Sequence, residues 1–165
     1  MEEAIISGIA HDISEAKVTV HGVPDQPGIA ATLFEPMANA EINVDMIVQN
    51  VSSDGSTDIS FTVPRAMSAT TLEVSKRLAA DIGAAGVDID NDIAKVSLVG
   101  AGMKSHPGVA ARVFRALSDA GINIEMISTS TIRISCVVRA ERVEDAVRTL
   151  HGAFEQELTG DDADV

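Results

Sequence analysis

The sequence predicts an α+β fold made of two ferredoxin-like βαββαβ units, the first of which is inserted into the second. Three observations support this prediction: an internal repeat, the order of strand and helix patterns within each copy, and a separate strand pattern near the amino terminus. Strand and helix periodicities in the order βαββαβ are typical of the split βαβ motif. A chain of 165 residues is long enough for two such small units.

The internal repeat covers residues 27–47 and 107–127, which align without a gap at an offset of 80. Both copies begin with Pro-Gly and end with the pattern Asn, apolar, acidic, Met, Ile. Chance similarity between two amphipathic helices would not reproduce that last pattern in phase after each helix. The strands that precede the copies align at an offset of 78, so the second copy has two extra residues within positions 101–104. We therefore infer a duplication.

The first copy has a full set of six elements. Its expected strands are residues 17–21, 45–51, 57–63 and 87–89, and its expected helices are residues 27–39 and 68–82. The pair Asp54-Gly55 is a hairpin signal between the second and third strands. Ser68 is the expected N-cap of the second helix, and Asn39 is the expected left-handed stop of the first.

The second copy lacks a strand after its last helix. Its expected strands are residues 95–99, 124–129 and 131–138, and its expected helices are residues 107–120 and 141–154. Gly121 is the expected stop of the first of these helices. Ile132, Ile134, Cys136 and Val138 alternate with other residues and should share one apolar face.

The strand pattern at residues 3–10 fills the missing fourth place in the second sheet, and residues 11–14 form a polar connection. The predicted domains are therefore residues 16–91 for the first unit and residues 3–10 with 92–156 for the second. Residues 157–165 are predicted to be a disordered acidic tail, because they are rich in aspartate and poor in apolar residues.

Composition excludes several classes of function. Lys and Arg number 12 against 25 Asp and Glu, which gives a net charge of −13 and argues against binding nucleic acid or anionic membranes. Aromatic residues make up 2% of the chain, so stacking platforms for bases or sugars are not expected. The one cysteine, Cys136, excludes an internal disulfide framework. Without a signal peptide or a long apolar run, the expected location is the cytoplasm.

The two Pro-Gly sites are the candidate binding elements. Proline is tolerated in the first turn of a helix, and glycine beside it leaves the backbone accessible to a small molecule. The free N–H groups and the positive end of the helix dipole suit an anion, such as the carboxylate of a small acid. Pro27-Gly28 and Pro107-Gly108 each follow a strand and begin a helix pattern.

Four segments have a specific sequence pattern: residues 20–28 and 42–52 in the first copy, and residues 95–109 and 123–130 in the second. On these segments, nearly the whole chain resembles the tandem ACT domains of aspartate kinase. Residues 1–4 are also similar to the start of the separate small β subunit of such enzymes. One position departs from the family, because Thr131 stands where an acidic residue usually follows Ser-Thr-Ser.

The resemblance implies a regulatory chain without catalytic residues, cofactor or metal. It implies binding of the end products threonine and/or lysine at ACT–ACT interfaces, which inhibits phosphorylation of aspartate. The open antiparallel sheets with apolar alternation predict association through the ACT domains, as a homodimer or with the catalytic α subunit. An amino acid is a zwitterion, so the N–H groups of Gly28, Ile29 and Ala30 suit its carboxylate, and Asp25 or Asp45 suits its ammonium. Gln49 and Asn43 can bind its side chain. The expected effector-binding residues are Asp25, Pro27, Gly28, Ile29, Ala30, Asn43, Asp45, Met46, Ile47 and Gln49, with Asn123, Ile124, Glu125, Met126 and Ile127 from the second copy.

Other interpretations find less support in the residues. A nucleotide fingerprint at residues 100–102 lacks its third glycine, and a calcium loop starting at Asp88 has Ile93 where glycine is required. The four histidines show no metal-binding spacing, although His106 stands beside a helix start. Two alternative functions stay open: a free-standing enzyme, for which no paired acid and base is evident, and an assembly subunit that holds kinase chains together without binding an effector.

Overall fold

The computed structural model describes residues 5–101 and 106–158. The strands are β1 (Ile5–Asp12), β2 (Glu15–Pro24), β3 (Ile47–Val51), β4 (Ser56–Pro64), β5 (Gly86–Asp90), β6 (Ile93–Ala101), β7 (Met126–Thr129) and β8 (Arg133–Arg139). The helices are α1 (Ile29–Asn39), α2 (Ser68–Ile82), α3 (Gly108–Asp119), α4 (Val143–Ala153) and α5 (Glu155–Leu158). Among these described helices, none is long and apolar enough to cross a membrane.

The chain divides into two compact units, which confirms the predicted fold class. Unit 2 contains residues 14–93, and unit 1 contains residues 1–13 and 94–165, so unit 2 is inserted into unit 1. The sheet of unit 2 has the order β3-β4-β2-β5, and that of unit 1 has the order β1-β6-β8-β7. In each unit the fourth strand lies beside the first and the third beside the second, which is the ferredoxin-like arrangement.

Strand β1 occupies the fourth place in the sheet of unit 1, as predicted. It pairs antiparallel with β6, and the pairs run from Ile5 opposite Ala101 to Asp12 opposite Lys95, with a register shift between Ile6 and Gly8. The predicted polar connection at residues 11–14 was wrong for its first half, because His11 and Asp12 belong to the strand. Backbone hydrogen bonds to β6 continue through His11 and Asp12, so β1 is longer than its apolar pattern predicts.

Each unit has its own apolar core between its sheet and helices. In unit 2 the largest fully buried side chains include Phe61, Leu33 and Met37, and the Phe34 ring packs edge-on against Phe61 at a centroid distance of 5.2 Å. In unit 1 Leu98 and Leu117 are fully buried in the corresponding core. Alternate residues of the central strands supply these side chains, since successive residues of a strand point to opposite faces.

The hairpin between β3 and β4 has the predicted Asp-Gly turn. Gly55 has φ +81°, which glycine adopts without steric cost. The Asp54 carboxylate accepts hydrogen bonds from the hydroxyls of Ser52 and Ser56 and from the Ser56 N–H. These bonds lower the pKa of Asp54 to about 2, with the Ser52 hydroxyl as the largest cause.

Several predicted details were wrong at helix ends. The N-cap of α2 is Met67, without a side-chain cap, because a 3-10 turn (Arg65–Met67) leads into the helix and places Ser68 inside it. The left-handed residue after α1 is Glu41, with φ +58°, and not Asn39; in unit 1 Gly121 takes this conformation at φ +70°, as predicted. The first helix also continues through Pro36, because its neighbours Leu33 and Met37 are held in the core.

The remaining strand and helix bounds differ from the predicted ones by at most three residues. Ile132 does not share the apolar face of Ile134, because it lies before β8 and is 57% exposed. The predicted tail falls outside the described residues from position 159 onward. Its first two residues contradict the prediction of disorder, since Glu157 and Leu158 belong to α5 and Leu158 packs against the core of unit 1.

The insertion predicts that damage to β1 affects unit 1 alone. Ile6 is 5% exposed and lies in the core of unit 1. We expect Ile6→Ala to destabilise unit 1 by about 2–4 kcal/mol, because it removes buried methyl groups and leaves a cavity. Hydrogen exchange should show the loss of protection in residues 93–101 and 133–139.

The matched control is Ser7→Ala, which changes the exposed neighbour and should have little effect. Loss of protection confined to residues 14–93 in the Ile6→Ala protein would contradict the pairing of β1 with β6.

Candidate functional site

The start of α1 forms a tight turn beside the tip of the β3–β4 hairpin. Gly28 is the N-cap, with φ +88°, and the Ile29 N–H donates to the Gln26 carbonyl at 3.3 Å. The Asp25 N–H donates to the Gly55 carbonyl at 3.0 Å, which joins this turn to the hairpin. The expected use of the Ile29 N–H for a ligand carboxylate conflicts with its bond to Gln26. The N–H groups of Ala30 and the next residue lie in the first turn, where a helix offers no carbonyl partner.

The start of α3 repeats the turn but not the backbone conformation. The Val109 N–H donates to the His106 carbonyl at 3.1 Å, in the same way as Ile29 to Gln26. Here Pro107 is the N-cap and Gly108 is the first helical residue, without a positive φ. Relative to the Pro-Gly pair, the helix therefore begins one residue earlier in unit 1 than in unit 2.

A recess lies beside the start of α3, at the second predicted Pro-Gly element, although its residues were not among the expected effector-binding residues. It has a volume of about 360 Å³. It is lined by His106, Pro107, Val109, Ala110, Thr129, Ser130, Thr131 and Ile134. Three consecutive hydroxyl side chains and an imidazole thus surround an apolar floor. The alignment of the two Pro-Gly motifs was the signal that pointed to it, and Thr131, which departs from the family, lies in its wall.

A second recess recurs in both units between the end of the first helix and the strand that follows. In unit 2 it is lined by Phe34, Met37, Ala38, Glu41, Ile42, Asn43, Val44 and Ile47. In unit 1 it is lined by Phe114, Ser118, Gly121, Ile122, Asn123 and Ile124. The predicted residues Asn43 and Asn123 therefore line equivalent recesses, together with Ile47 in unit 2 and Ile124 in unit 1.

The two acidic residues of the repeat have different surroundings. The Asp45 N–H donates to the Thr62 carbonyl and the Glu125 N–H to the Val137 carbonyl, so both backbones sit at the same place in the sheet. The Glu125 carboxylate accepts a hydrogen bond from the Arg139 guanidinium, with Nε at 3.0 Å from Oε2. The corresponding position in unit 2 is Pro64, which cannot form such a pair. Asp45 is exposed.

The structure does not bring all the predicted residues of unit 2 to one place. Asp25 lies at the hairpin tip beside Gly55, whereas Asp45 lies at the other end of β3 beside Thr62. Six residues of extended strand lie between Gly55, beside Asp25, and Thr62, beside Asp45. The two aspartates are therefore roughly 20 Å apart along the strand. One amino acid spans far less, since consecutive Cα atoms are about 3.8 Å apart. A single ligand cannot contact both carboxylates of one unit.

Some predicted side chains are unavailable to a ligand. Ile29, Met46 and Met126 are at most 7% exposed and belong to the interior. Ile47 and Ile127 are 53% and 44% exposed on the edge strands β3 and β7. The other predicted positions that face solvent are Asp25, Pro27, Gly28, Ala30, Asn43, Asp45, Gln49 and Asn123.

Two other potentially reactive side chains, Cys136 and His21, are constrained by their surroundings. Burial of the Cys136 thiol raises its pKa to about 12, so the thiol stays protonated at neutral pH and is a poor nucleophile. His21 lies between two carboxylates, with Nε2 at 2.6 Å from Asp88 and Nδ1 at 3.7 Å from Asp58. Among the residues that the structure describes, no group of three or more His, Cys, Asp or Glu could hold a metal ion.

Comparison with known proteins assigns the family. The family model of the ACT domain matches residues 18–78 and 96–154. The aspartokinase of Corynebacterium glutamicum is 52% identical over 164 residues, which cover 98% of this chain and 38% of that protein. The regulatory subunit of aspartate kinase from Thermus thermophilus, in its ligand-free form, is 43% identical with a TM-score of 0.86. That alignment covers 91% of this chain and 99% of the subunit.

The chain belongs to the ACT-domain regulatory chains of aspartate kinase. A further structure, of aspartokinase alpha and beta subunits, matches with 49% identity and a TM-score of 0.85, again over 91% of this chain and 99% of the matched chain. The two matched segments fall in unit 2 and unit 1 respectively, so each unit is one ACT domain. The inferred duplication is thus a tandem pair of ACT domains, with the first inserted into the second.

The different backbones of Gly28 and Gly108 lead to a matched prediction. A Cβ atom added at either position would meet no atom within 4 Å, so packing does not distinguish them. Only Gly28 has a positive φ, and there an L residue is strained. We expect Gly28→Ala to lower the free energy of unfolding by about 1–2 kcal/mol. Gly108→Ala should be neutral or stabilise by up to about 1 kcal/mol.

Urea denaturation of the two variants measures both effects, and each variant is the other's control. Equal destabilisation by the two substitutions would show that the helix starts are alike in solution.

Proposed function

We propose that this chain is the non-catalytic, effector-binding part of an aspartate kinase. It binds threonine, lysine or both, and binding lowers the rate at which the kinase part phosphorylates the side-chain carboxylate of aspartate. The observation that carries the proposal is the match to the regulatory subunit of aspartate kinase from Thermus thermophilus. The alignment covers 99% of that subunit. The chain needs no cofactor or metal for this role, and its partners are a second copy of the chain, the catalytic α subunit and the amino acid.

The helix start of an ACT domain supplies the carboxylate side of the site. The unbonded N–H groups of the first turn of α1, including that of Ala30, attract a carboxylate, and the helix dipole adds to the attraction. Exposed Pro27 and Gly28 leave the backbone open to the approach of a small ligand. The recess at the start of α3 offers the same backbone groups with hydroxyls from Thr129 and Thr131.

The ammonium side of the site comes from a second ACT domain. Within one domain Asp45 lies about 20 Å from the level of the helix start. When two β3 edge strands pair about a two-fold axis they run antiparallel, so the Asp45 end of one lies opposite the hairpin end of the other. Such pairing places the acidic residue of one copy near the helix start of the other, and one zwitterion can then contact both.

Pairing through the edge strand also agrees with its exposed apolar side chains. Ile47 is 53% exposed and Val51 is 63% exposed on β3, which is an edge of its sheet. Exposed apolar edge strands are typical of surfaces that pair with another chain. The homodimer is therefore the form in which the effector site is complete.

The alternative function is an assembly subunit that holds kinase chains together without binding an effector. Isothermal titration of the chain with threonine, with lysine and with both together distinguishes the two functions. Saturable binding of either amino acid supports the regulatory function. Absence of binding at millimolar ligand, both for the chain alone and in the presence of the catalytic chain, supports the assembly function.

The role of Asp45 is tested by its removal. A charge-assisted hydrogen bond contributes about 1.5–3 kcal/mol, so we expect Asp45→Ala to weaken effector binding by about 10- to 100-fold. Folding should change little, because the side chain is exposed. With the catalytic chain present, the same variant should require more effector for half-inhibition of kinase activity.

Asp81→Ala is the matched control, because it removes the same charge from an exposed position on α2. If the two variants titrate alike, Asp45 does not bind the ammonium group and the acceptor has to be sought elsewhere.

The edge-strand dimer is tested by sedimentation. We expect the double variant Ile47→Lys, Val51→Lys to be monomeric at tens of micromolar (roughly the range in which even a weak dimer associates), because like charges face each other across the pair. Ile13→Lys is the control, since Ile13 is 55% exposed but lies outside the strands. The unaltered chain should sediment as a dimer, and effector should tighten it by mass action. A dimer of unchanged strength in the double variant would refute pairing through β3.

A further inference from the structure

The short helix α5 is held by one side chain of α3. The guanidinium of Arg112 stacks on the Phe154 ring, with its carbon 4.3 Å from the ring centre. The same group donates to the Ala153 carbonyl at 2.8 Å and to the Glu157 carboxylate at 2.5 Å. The hydrogen bond from Arg112 is the main reason why the pKa of Glu157 lies below its ordinary value. A planar guanidinium can stack and donate at the same time, which a lysine ammonium cannot do.

The segment held in this way lies against β1. Helix α5 contacts β1, and Leu158 packs against the same apolar cluster that contains Ile6. Ile9 of β1 packs against this cluster as well. The last described residues of the chain thus cover the strand formed by the first described residues.

Strand β1 also contacts α4, so α5 is the second helix that lies against it. Among the described strands it is an edge strand paired with β6, and the pairing is interrupted by a register shift between Ile6 and Gly8. All of unit 2 separates it from β6 in the sequence. Pairing of such distant segments carries a loop-closure cost, so the strand depends on the contacts that it makes in the folded unit.

The equivalent strand of unit 2 has no need of such a contact. Strand β5 follows α2 after only three residues, so its place is set by a short connection. The residue of α1 that corresponds to Arg112 is Thr32, whose hydroxyl donates to the Gly28 carbonyl of its own helix at 3.1 Å. The contact between helix and terminal segment occurs only in the unit whose fourth strand comes from a distant part of the chain.

We propose that Arg112, Phe154 and Glu157 form a clasp that holds residues 155–158 as a strap over β1, so that strap and strand leave the sheet of unit 1 together. Opening of the clasp releases β1 while the other three strands of the sheet stay paired. The two ends of the described chain are in this way coupled in one local unit that can open without global unfolding.

Hydrogen exchange of the intact chain tests the clasp. In the unaltered chain we expect amides of β1 and α5 to exchange together and faster than those of β8, and in Arg112→Ala to exchange about tenfold faster still, whereas amides of unit 2 keep their rates. Arg115→Ala is the matched control on the same helix. Its ion pair with Asp119 is exposed and 3.7 Å long, so β1 should be unaffected. Arg112→Lys keeps the charge but loses the planar guanidinium that stacks on Phe154 and donates two hydrogen bonds. It should accelerate exchange in β1 and α5 nearly as much as alanine does.

Two results would overturn the proposal. One is an unchanged exchange rate in β1 for Arg112→Ala, and the other is exchange of β1 and β8 at one common rate in the unaltered chain, which would show that β1 opens only when all of unit 1 unfolds. Glu157→Gln provides an independent measurement, because it leaves Arg112 in place. It should accelerate exchange in the same two segments by a smaller factor, and acceleration confined to α5 would contradict the coupling.

Discussion

The antiparallel pairing of β1 with β6 is the constraint on which the architecture depends. Without it the sheet of unit 1 would have three strands, and β6 would become an unprotected edge. With it, Asp12 lies opposite Lys95, so the two points where the chain leaves and re-enters unit 1 are held side by side. Everything between them folds as a separate ACT domain. The pairing therefore converts a simple tandem duplication into an insertion, at the cost of closing a long loop.

Most of the fold could be predicted because the duplication supplies two independent views of one unit. The full set of elements in the first copy showed that the second copy lacked one strand, and the strand pattern at the amino terminus supplied it. The apolar alternation predicted the cores, as the burial of Val18, Val20 and Phe61 confirms. What failed was local. Serine is a preferred N-cap residue, so Ser68 was the expected start of α2. A 3-10 turn leads into the helix instead, and the preference of a single residue does not predict such a turn.

The sequence proposes a set of candidate site residues, but it does not predict their geometry. The repeat marks Gly28 and Gly108 as equivalent, yet only one of them adopts a positive φ, because glycine accepts both conformations and sequence identity does not choose between them. In the same way, Asp45 and Glu125 match in the alignment. The ion pair of Glu125 depends on Arg139, which is a proline in the other unit, and this difference is visible only once the strands are paired.

The strand order explains why the proposed effector site requires two ACT domains. In one domain the helix start and the acidic residue lie at opposite ends of β3, so no small ligand can contact both. A ligand that needs both groups can bind only where two edge strands run antiparallel, and its binding energy then adds to that of the pairing. In the proposed function the effector acts on the kinase through this assembly alone, because a ligand can shift an equilibrium only by the difference in its affinity for the two states. In the proposed function, the exposed side chains of Ile47 and Val51 favour pairing of the edge strands, and the separation of the two binding groups within one domain makes that pairing depend on the amino acid.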